Sequence, residues 1–147
     1  MKFSSRAIYG MRAMLALARL HGHGSTFLKD IAEAEGLPGT YLEQLMVPLR
    51  KGGLVQAVRG AKGGYTLAHP PAEISVLAIL EALEGPLVLA DCPSGSGCCG
   101  KPDACALQEL WAEGSQALNG IYGNLSLAAL AERQRAKESH PVITYSI

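Results

Sequence analysis

Apolar residues recur at three- and four-residue spacing over residues 4–21. Ile8, Met11, Leu15 and Ala18 fall on one side, predicting a helix that Ser4 caps and Gly22 and Gly24 end. Two shorter helical stretches follow. Residues 28–35 place Leu28, Ile31 and Ala32 together, and Gly36-Leu37-Pro38-Gly39 reads as a turn. The second stretch carries Leu42, Leu45, Met46 and Leu49 and stops at Gly52-Gly53; Thr40 with Glu43 has the spacing of a capping box. Pro48 interrupts this pattern, removes one intrahelical hydrogen bond and should loosen the last turn. The period then changes. Residues 54–58 and 64–68 read as strands, with Arg59-Gly60-Ala61-Lys62-Gly63 as the turn between them. Ser75 caps a helix over 76–84, and Gly85-Pro86 ends it. A Gly- and Pro-rich loop covers 90–105, and a long helix follows with Leu107, Leu110, Trp111, Leu118, Ile121, Tyr122 and Leu125 in register. Ser126 restarts a short last helix; residues 133–147 are polar and turn β-like at 141–147.

The predicted fold is mainly α with a small β-hairpin: a winged helix–turn–helix followed by a long C-terminal dimerisation helix. Three regions result: 1–70 as the winged helix–turn–helix, 71–132 as the loop and dimerisation helices, and 133–147 as a C-terminal tail.

Composition supports a helical core, since 48% of the 147 residues are hydrophobic and only 5% aromatic. No run is long and apolar enough to span a membrane, and the N-terminus lacks a signal-peptide pattern, so a cytoplasmic protein is expected. Net charge is zero but unevenly placed: residues 1–69 carry nine Lys/Arg against four acids, and residues 70–147 carry four against nine. A basic first half points to a polyanion. In the helix–turn–helix reading, that polyanion is double-stranded DNA.

The residues suit the role. Gln44 can pair with adenine, and Thr40 can meet a phosphate or a thymine methyl. Glu43 can accept from cytosine N4 or cap its helix, and Tyr41 can contact a phosphate or pack. Arg50 joins them on the second helix. Arg59 and Lys62 lie at the hairpin tip, where a narrow minor groove attracts Arg59 most strongly.

All four cysteines fall within fourteen residues, at Cys92, Cys98, Cys99 and Cys105. Their gaps are long for paired zinc knuckles and suit a loop around a larger cluster. A zinc staple, a reversible disulfide and unligated thiols are the alternatives. No nucleophile motif, phosphate loop or HExxH is present, so no enzyme is expected.

Three blocks then resemble the Rrf2 family of bacterial transcription regulators: Tyr41-Leu42-Glu43-Gln44-Leu45; Leu49-Arg50-Lys51-Gly52-Gly53-Leu54-Val55; and Val58-Arg59-Gly60-Ala61-Lys62-Gly63-Gly64-Tyr65. The opening Ala7-Ile8-Tyr9-Gly10-Met11-Arg12-Ala13-Met14 is also similar, and the likeness covers about residues 1–130. The resemblance implies a homodimer on a palindromic operator, acting as a repressor or activator. It also implies an iron–sulfur cluster on three cysteines per subunit, with [2Fe–2S] favoured over [4Fe–4S] and zinc as the alternative. Redox, iron–sulfur or nitric-oxide status would be the signal. The sequence departs from the cluster-binding members at both familiar fourth-ligand positions: the iron–sulfur-assembly type has a His where Gln108 stands, and the nitric-oxide-sensing type an acid where Ile8 stands. An electron-transfer or cluster-carrier protein is the rival class, and a zinc- or thiol-based regulator of the same fold a third reading.

Overall fold

The computed structural model describes residues 2–90 and 105–140. Six helices and one hairpin follow in order: α1 (Ser5–Arg19), α2 (Leu28–Glu35), α3 (Gly39–Lys51), β1 (Val55–Val58), β2 (Gly64–Leu67), α4 (Val76–Glu84), α5 (Ala106–Gly123) and α6 (Leu127–Ser139), with a 3₁₀ turn at Pro71–Glu73 before α4. The fold class is therefore the expected one.

Helix α1 is the centre. It touches α2, α3, α4, α6 and β2. Its buried edge is not the predicted one, however. Ala7, Gly10, Ala13, Met14, Ala16 and Leu17 face inward, whereas Ile8 is 51% exposed and Met11, Leu15 and Ala18 are half-buried. Small residues decide this. A helix packed on several sides is buried where its backbone can approach its neighbours, and Ala and Gly permit that approach. Ser4 caps α1 by accepting from the Ala7 N–H at 3.3 Å, and both its N–H and its hydroxyl donate to Glu84 at the end of α4.

Helices α2 and α3 cover the other side of α1 with Ile31, Ala32, Leu42, Leu45, Met46 and Leu49. One expectation fails here. Helix α3 starts two residues earlier than the capping reading requires, at Gly39 after an extended Pro38, and no side chain caps it. Thr40 lies inside the first turn, so the Thr40–Glu43 capping box does not form and both side chains are left exposed. Pro48 does not end α3; the helix runs to Lys51, and the Pro48 carbonyl accepts from the Gly52 N–H at 2.9 Å.

Strands β1 and β2 pair antiparallel, Val55 with Leu67 through Val58 with Gly64. Thr26 adds an unpredicted third rung: its N–H donates to the Tyr65 carbonyl at 2.9 Å, and the Tyr65 N–H donates back at 2.8 Å. The contact exists because residue 64 has no side chain. At φ +140°, a Cβ on Gly64 would lie within 2.6 Å of the Thr26 carbonyl carbon.

Ser75 caps α4 as expected, accepting from the Ala78 N–H at 3.1 Å. The start of α6 is laced to the start of α4: Val76 N–H to the Leu125 carbonyl at 2.8 Å, and Leu127 N–H to the Ile74 carbonyl at 2.7 Å. A second apolar cluster of Ala7, Val76, Leu80 and Leu87 gathers Phe3, Tyr122 and Leu130 around it. Helix α6 is longer than its apolar pattern predicts. Its polar end is held from outside by the Arg19–Glu138 ion pair to α1, and Gln134 with Arg19 keeps the Glu138 carboxyl below its usual range. The β-like reading of 141–147 lies outside the described residues.

Gly64→Ala should destabilise the chain by about 3 kcal/mol, since it combines positive-φ strain with a backbone collision. Gly60→Ala, at φ +109° in open space, should cost about 1 kcal/mol. Urea unfolding of the two variants checks this; equal losses would show that the Thr26–Tyr65 approach does not matter.

Candidate nucleic-acid interface

Helix α3 divides cleanly. Leu42, Leu45, Met46 and Leu49 are buried, and Thr40, Glu43, Gln44, Val47, Arg50 and Lys51 are exposed. Thr40, Glu43 and Gln44 thus project together from the early turns, where a helix lying in a major groove meets base edges. Tyr41 does not join them fully. It is half-buried, with its ring edge-on to Tyr9 of α1 at 5.8 Å and 88°. Packing is its structural role, and only part of the side chain remains for a phosphate.

The end of α2, ahead of the turn into α3, is held from α1. Arg12 Nη2 donates to the Glu35 carbonyl at 2.6 Å, and Nε pairs with the Glu35 carboxylate at 3.1 Å. One guanidinium thereby satisfies a free carbonyl at the end of α2 and neutralises its terminal acid. Leu37, whose N–H donates to the Ala32 carbonyl at 2.8 Å, is buried in the turn that follows. Arg12 was not singled out in the sequence, because a helical arginine shows no sign of a partner 23 residues away.

The hairpin places Arg59 and Lys62 at its exposed tip. Ser25 donates its hydroxyl to the Lys62 carbonyl, so the tip is anchored to the segment before α2 as well as by the Thr26 rung. A shallow groove beside β1 collects Arg50, Gln56, Arg59 and His69 from α3, both strand ends and the segment after the wing. Gln56 and His69 were not candidates. The alternation that buries Val55 would have turned Gln56 outward. Among the described residues, Arg50, Lys51, Arg59 and Lys62 form no ion pair with a carboxylate, so their charge is available to an external anion.

Of the cysteines, only Cys105 is described. It is a half-buried free thiol immediately before α5. Cys92, Cys98, Cys99 and Asp103 lie outside the described residues. Gln108 is half-exposed and Glu109 exposed on the first turn of α5. No group of three His, Cys, Asp or Glu side chains that could hold a metal occurs among the described residues. The entrance to the cysteine segment is fixed on α5: the Leu89 N–H donates to Ser115 Oγ at 2.9 Å, and a Cβ on Gly114 would lie 2.5 Å from the Leu89 side chain.

Residues 3–133 match the Rrf2 family model, described as an iron-dependent transcriptional regulator. The chain is 38% identical over 134 residues to the HTH-type transcriptional regulator IscR of Serratia proteamaculans, covering 91% of this chain and 81% of that protein. It is 39% identical over 135 residues to the HTH-type transcriptional regulator CymR of Bacillus subtilis, covering 89% and 90%. The solved structure of T. potens IscR superposes with a TM-score of 0.75 at 36% identity, covering 99% of this chain and 95% of that one. That of CymR, described as the global cysteine regulator of B. subtilis, gives 0.76 at 37% identity, covering 90% and 98%.

Arg59→Ala should weaken binding to a specific duplex by about tenfold, and Lys62→Ala should lower the slope of log affinity against log salt by about one. Fluorescence anisotropy across a salt series reads both. Unchanged affinity in Arg59→Ala would remove the wing tip from the interface.

Proposed function

The chain belongs to the Rrf2 family of transcription regulators, and from that premise we propose a homodimer whose operator affinity is set by an iron–sulfur cluster held in the segment 92–105. DNA-binding regulation is the family's activity, and the chain is not an enzyme. The electron-carrier alternative falls with that assignment. No helix among the described residues is long and apolar enough to cross a membrane.

The observation that carries the cofactor reading is that the described residues flanking the four-thiol segment both meet α5. The segment enters from Leu89, which is bonded to Ser115, and leaves at Cys105, immediately before the same helix. Both ends are thus held by one rigid element, and soft thiolates are the donor set such clusters use. Cys92, Cys105 and either Cys98 or Cys99 would supply three ligands. Asp103, Gln108, Glu109 or a group from the partner subunit would supply the fourth. A cluster bound there supplies a redox- and nitric-oxide-reactive centre, with [2Fe–2S] favoured over [4Fe–4S]. Loss of that ligation would free the segment beside α5 and shift the spacing of the two α3 helices, so that the two states differ in affinity for a palindromic operator.

The dimer reading rests on α5 itself. This 18-residue helix fully buries none of its residues against its own chain. Leu107, Leu110, Trp111 and Ile121 are all exposed, at helical spacing along one stripe. A stripe of this kind on a regulator that reads a two-fold site calls for a second copy. Tyr122 belongs elsewhere: it packs inward, edge-on to Phe3 at 6.0 Å.

A second reading keeps the fold and removes the cluster. It is supported by the 39% identity to CymR, a relative of this family whose described role is cysteine regulation. Zinc or the bare thiols would then carry the signal.

Protein purified anaerobically should show visible absorption with iron and sulfide in equal amounts, and Cys92→Ala should abolish it. A colourless, zinc-containing protein would select the second reading; equal operator affinities of the holo, apo and Cys92→Ala forms would sink cluster sensing. Ile121 is 63% exposed, so Ile121→Asp should leave the fold intact while converting a dimer to a monomer in sedimentation. A variant that stays dimeric would move the interface off this stripe.

A further inference from the structure

Val47 is the apolar member of the exposed face of α3. Thr40, Glu43, Gln44 and Val47 share that face at three-, four- and seven-residue intervals, opposite the buried Leu42, Leu45, Met46 and Leu49. Val47 is 49% exposed and, unlike Tyr41, does not pack against the core. Three local rules oppose its presence there. A β-branched residue loses rotamer freedom in a helix. A residue before proline disfavours the helical region, and Pro48 follows. An isopropyl group left in water forfeits its burial. The packing of the chain returns nothing for these costs. Where a sequence breaks local rules without a structural gain, the compensation is expected in a functional contact.

We propose that Val47 is a specificity residue that recognises the C5 methyl of a thymine in the major groove. The inference rests on the assignment of α3 as the DNA-reading helix. The chemistry is selective. Each base pair offers hydrogen-bonding edges to that groove, but only thymine adds an apolar methyl. Thr40, Glu43 and Gln44 can all use the polar edges, and Val47 cannot. Its place also fits. Val47 is three residues beyond Gln44, about 4.5 Å along the helix, close to the roughly 3.4 Å between stacked bases. A base read by Gln44 and a methyl covered by Val47 therefore belong to neighbouring pairs. Pro48 contributes to the same turn. Its nitrogen cannot donate to the Gln44 carbonyl, so the helix is one hydrogen bond short where these two side chains project.

The test uses the full-length dimer and a duplex selected by the wild-type protein from a random-sequence library. Each thymine in one half-site is replaced in turn by uracil, which removes the methyl and leaves the pairing edge. For the wild type, one replacement should weaken binding by about three- to fivefold, the effect of one buried methyl-sized group. For Val47→Ala, which keeps an exposed position and a better helix former, the same replacement should change affinity less than about 1.5-fold. An equal uracil effect in both proteins, or no uracil effect at any thymine, would overturn the role of Val47 while leaving DNA reading in place. A selection that enriches no sequence would overturn the reading helix itself, and this inference with it.

Discussion

The burial of α1 is the constraint on which the rest of the structure depends. Its inward edge is built from Ala7, Gly10, Ala13, Met14, Ala16 and Leu17, and it is flanked by α2, α3, α4, α6 and β2. So many neighbours can share one helix only if its side chains are short. Gly10 shows the limit: a Cβ there would stand 2.9 Å from Leu83 Cδ2 of α4. Close approach at Gly10 brings α4 near, and α4 in turn carries the lacing that starts α6 at Leu127. The reading helix α3 directly, and the proposed dimer helix α5 through α4, are therefore both referred to one central rod.

Polar contacts then set what apolar packing leaves loose. Helices can slide and rotate on a greasy surface at small cost, whereas a bonded carbonyl or a closed strand rung fixes a register. Arg12 holds the end of α2 from α1, Thr26 holds the wing through Tyr65, and Ser25 holds the wing tip through Lys62. Arg12, Ser25 and Thr26 are not among the candidate DNA-contacting residues. Each removes one freedom from the surface that carries those residues, so α3 and the wing meet a duplex already aligned. Less ordering is then needed on binding.

This division explains what could be read from the sequence. Local signals were sufficient where the chain itself satisfies the backbone: Ser75 capping α4, the span Leu28–Glu35, and the Gly-rich hairpin. They failed where another residue, near or distant, decides. Thr40 has the spacing of a cap, but Pro38 already fixes an extended residue ahead of Gly39, and the helix starts there. Ile8 fits an apolar stripe, but the packing of α4 against Gly10 and of α6 against α1 buries the Ala7 side instead. The polar end of α6 carries almost no apolar pattern, yet Arg19 and Gln134 hold Glu138 in place. The candidate site follows the same rule. Gln44, Arg59 and Lys62 announced themselves by residue type and turn position. Val47 did not, because an apolar residue in an apolar-periodic helix reads as core until its exposure is known.

Under the proposed function, the cysteine segment would act on geometry rather than on base contacts. Its described ends, Leu89 and Cys105, are tied to Ser115 at the middle of α5 and to its start, bracketing the first half of a helix that packs against α4. A change in ligation between them has no short route to Thr40 or Gln44. It has a short route to Leu107, Leu110 and Trp111, which stand exposed on that half of α5. In a two-fold regulator the separation of the two α3 helices depends on how the two α5 helices cross. In the proposed dimer, a small rotation at the α5 stripe would be enlarged at the wings, since α1 packs against α2, α3 and β2 together. A shift of about one base-pair rise, roughly 3.4 Å, is enough to take one half-site out of register. Control by spacing would thus need no rearrangement inside the reading domain, and the bonds that rigidify that domain would become part of the regulatory device.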